Sequence, residues 1–89
     1  MVKKYRVEFL SEAVSYLRKI DKIIAQRILN KIKWLSENFE DVVPEILTGD
    51  FKGMYKLRVG NWRVIYGVDK EKRIIRVFMV GHRKDIYKG

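Results

Sequence analysis

The amino-acid sequence predicts an α+β fold in which a first strand is followed by an antiparallel hairpin of two helices, packed on one face of a mainly antiparallel four-stranded sheet. Three observations predict this architecture. Apolar residues alternate with charged ones near the start of the chain and through much of its second half, which is the pattern of half-buried strands. Between these regions apolar residues recur every three or four positions, as on helices that face a core. A Gly-Asn pair separates two of the alternating runs, a combination typical of a β-hairpin.

The first half of the chain is predicted to hold one strand and both helices. Residues 5–9 alternate between apolar and charged and form the first strand. Ser11 is expected to cap a short helix, and Asp21 a second helix that runs to about Glu37. The second helix carries an apolar stripe formed by Ile24, Ile28, Ile32 and Leu35. Because almost no loop separates the helices, we expect a tight hairpin whose apolar stripes cover the sheet.

The second half is predicted to supply the rest of the sheet. Residues 38–53 contain the only proline and two glycines, Gly49 and Gly53, and they are expected to be a connector. Strands are predicted at 55–59, 62–68 and 74–80, with Gly81 ending the last one. All of this belongs to one domain.

Length and composition limit the class of protein. Eighty-nine residues, 47% of them hydrophobic, suffice for one domain spanning 1–89 and exclude a second. The absence of cysteine excludes a disulfide framework, a thiolate nucleophile and cysteine-ligated metals, and it favours a reducing cytoplasm. No apolar run approaches the roughly 20 residues that span a bilayer. We therefore expect a cytoplasmic protein without a membrane segment.

The net charge of +9 is concentrated in the second half of the chain. Residues 46–89 hold eleven Lys and Arg against four Asp and Glu, whereas residues 1–45 hold nine against seven. Such an asymmetry is expected of a chain that binds nucleic acid or, failing that, an acidic protein.

The predicted hairpin brings basic residues together. A two-residue loop at Gly60-Asn61 places Arg58 directly opposite Arg63, with Lys56 on the same face. Like charges opposite one another are destabilising, a cost that is tolerated where both can hold an anion. The alternative is a solvated outer face whose long side chains splay apart. Few carboxylates are expected on this face, which favours the anion site.

The segment after the last predicted strand is the second candidate. His82 is the only histidine and is able to act as a general acid or base near neutral pH, or it has no special role. Arg83 and Lys84 are either functional cations or solvated charges. Tyr87 is able to close over a site as a lid.

The chemistry is narrowed by residues that the chain lacks. One histidine excludes a two-histidine acid–base mechanism, and the second half has no metal-ligand spacing. We therefore expect no metal and no cofactor. Any cleavage of a phosphodiester has to rely on cations, and RNA suits this because its 2′-hydroxyl already supplies the nucleophile.

Three segments together resemble the RelE toxin family: YKLR at 55–58, NWRVIY at 61–66 and VGHRKDIY at 80–87. The likeness covers nearly the whole chain. It implies a type II toxin with a microbial-ribonuclease-like fold that enters the ribosomal A site and cleaves mRNA. It also implies silencing by a RelB-like antitoxin that is small, acidic and helical, in a heteromeric complex.

The resemblance also implies roles for individual residues. Arg63 matches an arginine that stabilises the scissile phosphate, and Arg83 one that stabilises or protonates the leaving oxygen. Tyr87 matches the tyrosine that positions or deprotonates the 2′-hydroxyl, which makes these three the catalytic candidates. Lys56 matches a family lysine, whereas Arg58 replaces another lysine and cannot serve as a neutral amine base. RNA-binding roles are expected for a larger basic set, namely Lys56, Arg58, His82 and Lys84.

Two other functions remain open from the sequence. The ParE-type toxins share this fold and inhibit DNA gyrase without cutting RNA, so a gyrase poison is one alternative. The other is a non-catalytic basic RNA-binding module.

Overall fold

The computed structural model describes residues 4–86 of the chain. Its helices and strands, in chain order, are β1 (Arg6–Phe9), α1 (Ser11–Lys19), α2 (Lys22–Asn38), β2 (Glu45–Ile46), β3 (Tyr55–Val59), β4 (Trp62–Asp69), β5 (Ile74–His82) and α3 (Arg83–Ile86). Single 3₁₀ turns at Phe39–Asp41 and Gly49–Phe51 flank β2. The α+β class predicted from the sequence is confirmed.

The sheet has five strands, not the predicted four, in the order β1-β5-β4-β3-β2. β1 runs parallel to β5 and all other neighbours are antiparallel. The additional strand is β2, where Glu45 pairs with Lys56 and Ile46 with Tyr55. Two residues are too few for an alternating pattern, so this strand had no periodic signal in the sequence.

The two long helices cover one face of the sheet. Alternate residues of β3, β4 and β5 point towards them, and the stripe of α2 is buried against these strands. Of the predicted stripe, Ile28, Ile32 and Leu35 are buried and Ile24 is partly buried. The facing side chains from the sheet are Leu57, Val59, Val64, Tyr66, Ile75, Val77 and Val80. We call this the helix face and the opposite one the outer face.

The N-cap predicted from the sequence is found at the start of α2 but not at the start of α1. Asp21 caps α2 as predicted, because its Oδ1 accepts a hydrogen bond from the Ile23 amide at 2.8 Å. The predicted cap at Ser11 is wrong: Leu10 is the N-cap and Ser11 the first helical residue. The Leu10 amide donates to the Val77 carbonyl at 3.0 Å, so pairing with β5 holds Leu10 extended and the helix begins after it.

Strand β5 differs from the prediction in length and regularity. It continues past Gly81 to His82, which pairs with Trp62. Ile65 pairs with Met79 and Tyr66 with Val77, so Phe78 is the extra residue of a β-bulge. Within residues 4–86, no helix is long and apolar enough to cross a membrane.

Candidate active site

The predicted basic hairpin is present on the outer face. Arg58 lies directly opposite Arg63, Leu57 opposite Val64 and Lys56 opposite Ile65, the register expected from the two-residue turn. Gly60 makes that turn possible, since its φ of 60° lies in the left-handed region that other residues avoid. The sequence therefore predicted this part of the site correctly.

The two opposed arginines differ in environment. The side chain of Arg58 is 63% exposed, whereas Arg63 as a residue is only 8% exposed. Nη1 of Arg63 donates to the carbonyls of Gly60 at 2.8 Å and Trp62 at 2.9 Å. Its Nε is buried and has no hydrogen-bond partner within residues 4–86. A charged donor left unpaired in this way is costly.

Glu45 is a member of the site that the sequence analysis missed. Its Oε2 lies 2.7 Å from Nζ of Lys56 and 3.6 Å from Nη2 of Arg58. The hydrogen bond from Lys56 lowers the pKa of Glu45, and the charges of Lys56, Arg58 and Arg63 act in the same direction against the effect of burial. The expectation that few carboxylates lie on this face is thus corrected, because β2 brings one to its centre.

His82 lies apart from these residues. It pairs with Trp62, and the two rings are 5.1 Å apart at 84°, on the helix face. The neighbouring pair of Arg63 and Gly81 therefore belongs to the outer face. Nδ1 of His82 accepts a hydrogen bond from the Lys84 amide at 3.2 Å and caps α3. The structure does not bring the imidazole into the basic cluster, and its suggested RNA-binding role stays a prediction.

Arg83 begins α3 beside the hairpin turn. Its amide donates to the carbonyl of Asn61 at 2.8 Å, and its side chain is exposed. The same turn, residues 60–62, holds the guanidinium of Arg63. The backbone of Arg83 and the guanidinium of Arg63, twenty positions apart in sequence, are therefore both bonded to the turn of residues 60–62.

The remaining predicted residues are less informative. Lys84 is exposed in α3, and Tyr87 lies outside the described residues. No group of three His, Cys, Asp or Glu side chains able to hold a metal ion occurs in the part of the chain that the structure describes. The cluster is thus a set of cations, Lys56, Arg58 and Arg63, with the carboxylate of Glu45 among them, and Arg83 begins at the adjacent turn.

Comparisons with known proteins match nearly the whole chain. The model of the ParE toxin family of type II toxin–antitoxin systems matches residues 7–87. A RelE-like toxin protein of Escherichia coli is 33% identical over 91 residues, covering 94% of this chain and 90% of that protein.

Solved structures show the same fold. The toxin–antitoxin complex RelBE2 of Mycobacterium tuberculosis aligns with a TM-score of 0.80 and 26% identity, covering 93% of this chain and 98% of that one. An arginine-to-alanine double mutant of Escherichia coli RelE in the free state gives 0.74 and 25%, covering 93% and 87%. The RelE–RelB complex of the archaeon Pyrococcus horikoshii gives 0.68 and 27%, covering 91% and 97%.

Proposed function

This chain belongs to the RelE/ParE family of type II toxins, and we propose that it is a ribosome-dependent endoribonuclease that cuts mRNA in the A site. One observation carries the proposal: Lys56, Arg58 and Arg63 share the outer face, and the backbone of Arg83 is bonded to the turn that holds the Arg63 guanidinium. Several cations around one point suit a phosphodiester whose charge increases in the transition state.

The proposed reaction needs no metal. The 2′-oxygen attacks the adjacent phosphorus, the bond from phosphorus to the 5′-oxygen breaks, and the products carry a 2′,3′-cyclic phosphate and a 5′-hydroxyl. Arg63 stabilises the charge of the pentacovalent phosphorus, and Arg83 stabilises or protonates the leaving oxygen. Tyr87 positions the 2′-hydroxyl, a role that rests on the family resemblance.

We assign acceptance of the 2′-hydroxyl proton to Glu45. A guanidinium cannot take this proton, and Glu45 supplies a carboxylate within the described cluster. Its lowered pKa keeps the group ionised but makes it a weak base. When RNA phosphates engage Lys56 and Arg58, the hold of these cations on Glu45 weakens and its basicity rises.

The ribosome is proposed to supply alignment. With a weak base, catalysis depends on holding the 2′-oxygen in line with the leaving oxygen, and a site on an exposed sheet face restricts RNA little by itself. Purified toxin is expected to cut naked RNA poorly and ribosome-bound mRNA efficiently.

The test is primer-extension mapping of mRNA after induction in growing cells. Wild-type protein is expected to produce cuts within codons, and Arg63→Ala and Arg83→Ala to abolish them. Arg27→Ala is the matched control, since Arg27 is an exposed arginine on α2. Arrest of growth by Arg63→Ala and Arg83→Ala as strong as by wild type would rule the assignment out.

An acidic, helical, RelB-like antitoxin is the proposed partner. The chain carries +9, and structures similar to it include RelB complexes from Mycobacterium tuberculosis and Pyrococcus horikoshii. Opposite charge would speed association, which makes the rate fall with added salt. A search of the adjacent reading frame and co-purification at two salt concentrations test this partner.

Poisoning of DNA gyrase is the second candidate, because the matching family model is that of the ParE toxins. A gyrase poison would trap cleaved DNA and leave mRNA intact. Supercoiling assays with purified gyrase, run beside the primer-extension experiment, separate the two functions.

A further inference from the structure

A groove of about 710 Å³ opens on the outer face, at the opposite end of the strands from the turn of residues 60–62. Residues from the start of β3, the end of β4 and the start of β5 line it. Among the described residues, none of those proposed to be catalytic contributes to this groove. It is therefore a separate feature of the same face.

An aromatic ring lies on the floor of the groove. Phe78 is the extra residue of the bulge in β5, and it is only partly buried. A Cβ atom placed on Gly67 would come within 2.8 Å of Cε2 of Phe78, so the ring rests directly on the backbone of β4. Bulges re-aim side chains, often beside functional sites. Here the bulge directs the Phe78 ring over Gly67 of β4, and the ring lines the groove.

The rim of the groove carries cations and carboxylates that differ in their exposure and in their hydrogen-bond and ion-pair partners. Lys52 and Lys70 are exposed and form no ion pair within residues 4–86. Arg76 is held by Glu8, with Nε and Nη2 each 3.2 Å from Oε1. Of the acidic residues, Asp69 accepts from the Lys72 amide at 3.0 Å, and Glu71 is exposed. The side chains that line the groove thus comprise three cations, Lys52, Lys70 and Arg76, and two carboxylates, Asp69 and Glu71.

We propose that this groove binds a nucleobase of single-stranded RNA, stacked on Phe78, with the flanking phosphates near Lys52 and Lys70. A ring with one supported face and cations around it is what single-strand binders use. The inference rests on the proposed function for its ligand, because the bound strand is the mRNA whose phosphate lies at Arg63.

Spacing along β4 relates the two sites. Gly67 lies four residues beyond Arg63 in β4, which is about 13 Å at roughly 3.3 Å per residue. One extended strand on the outer face therefore reaches both positions. The groove holds a base a few nucleotides from the cleaved bond and contributes to the choice of sequence without taking part in the chemistry.

Binding of a short 5′-labelled oligoribonucleotide, with 2′-deoxyribose at the cut position, measures the contribution of the ring. Phe78→Leu keeps an apolar side chain but removes the stacking surface, so Kd is expected to rise about fivefold or more. Phe78→Trp is expected to bind at least as well as wild type. Trp34→Leu is the matched control, because Trp34 is a 43% exposed aromatic beside Lys31 on α2. It should leave Kd unchanged.

In a second experiment, the bases of the same probe are removed one at a time and binding to wild-type protein is measured. The result does not depend on whether a variant folds. One position is expected to weaken binding when its base is removed. The proposal would be overturned if removal of no single base weakened binding. It would also be overturned if the Kd of Phe78→Leu stayed within twofold of wild type, or if Phe78→Leu and Trp34→Leu lost affinity equally. A Phe78→Leu variant that loses affinity for the antitoxin but keeps its affinity for RNA would overturn it as well. Failure of wild-type protein to cut mRNA would instead reject the proposed function.

Discussion

The same strands supply the helix face and the outer face of the sheet, but the two faces bury different kinds of side chain. Val64 and Ile65 are neighbours in β4 and both are fully buried, one on each face. Around Val64 the buried side chains are apolar, whereas around Ile65 they include Arg63 and the stem of Lys56, whose side chain is 12% exposed. Burying a cation is costly without partners. The comparison shows that the helix face buries apolar side chains, whereas the outer face buries cations beside apolar ones.

The largest effect on stability is expected from the helix face. Ile28→Ala removes a fully buried side chain, and it should lower the free energy of unfolding by about 2–5 kcal/mol. Ile23→Ala on the same helix is the control, since Ile23 is 72% exposed and should change stability by at most about 0.5 kcal/mol. Denaturant unfolding measures both. Equal losses would contradict the difference between the faces.

The largest effect on activity is expected from the outer face. Arg63→Ala should reduce cleavage of ribosome-bound mRNA by about 10²–10³-fold, as for loss of a group that stabilises transition-state charge. Arg58→Ala should cost less than about tenfold, because Arg58 is exposed and contacts Glu45 at 3.6 Å. Single-turnover rates with programmed ribosomes measure both, with melting temperatures as the folding control. A larger loss for Arg58→Ala would reverse the roles assigned to the pair.

Loss of a helix cap is expected to have an intermediate effect on the free energy of unfolding. Asp21→Ala should lower stability by about 1 kcal/mol, because it removes the acceptor of the Ile23 amide. Ser11→Ala should be close to neutral, since no side-chain hydrogen bond caps α1. Thermal unfolding of the two variants makes the comparison, and a larger loss for Ser11→Ala would favour the cap that the sequence pattern predicts.

The smallest effect is expected from acid titration of the outer face. The pKa of Glu45 is below its ordinary value, so its ion pairs stabilise the fold above the unfolded-state pKa of about 4.3 and lose that contribution as pH falls through the folded-state pKa. Because Glu45 is 47% exposed, the contribution is at most about 1 kcal/mol. Wild type should exceed Glu45→Gln in stability at pH 7, and the difference should vanish near pH 2. A difference that persists at acid pH would show that the carboxylate charge is not its source.

Residues close in sequence were predicted best. The alternation in β3 and β4 and the two-residue turn determine their register, so the sequence alone suffices to place Arg58 opposite Arg63. Glu45 could not be placed, because β2 is two residues long and its pairing with β3 spans the connector. The one hint was an acidic residue after the only proline, in an otherwise apolar stretch from Val42 to Leu47.

The sequence by itself determined the fold class, the helix hairpin, the basic β3–β4 hairpin and the family, because periodicity and a short turn act locally. Only the tertiary structure decided which residues of β5 lie on each face of the sheet. The extra residue Phe78 shifts the alternation of β5 by one position, so Val80 and His82 lie towards the helices and Gly81 lies beside Arg63. A bulge depends on pairing between strands and has no local signature. The sequence analysis placed His82 after the last strand, whereas the fold makes it the last residue of β5 and packs it against Trp62.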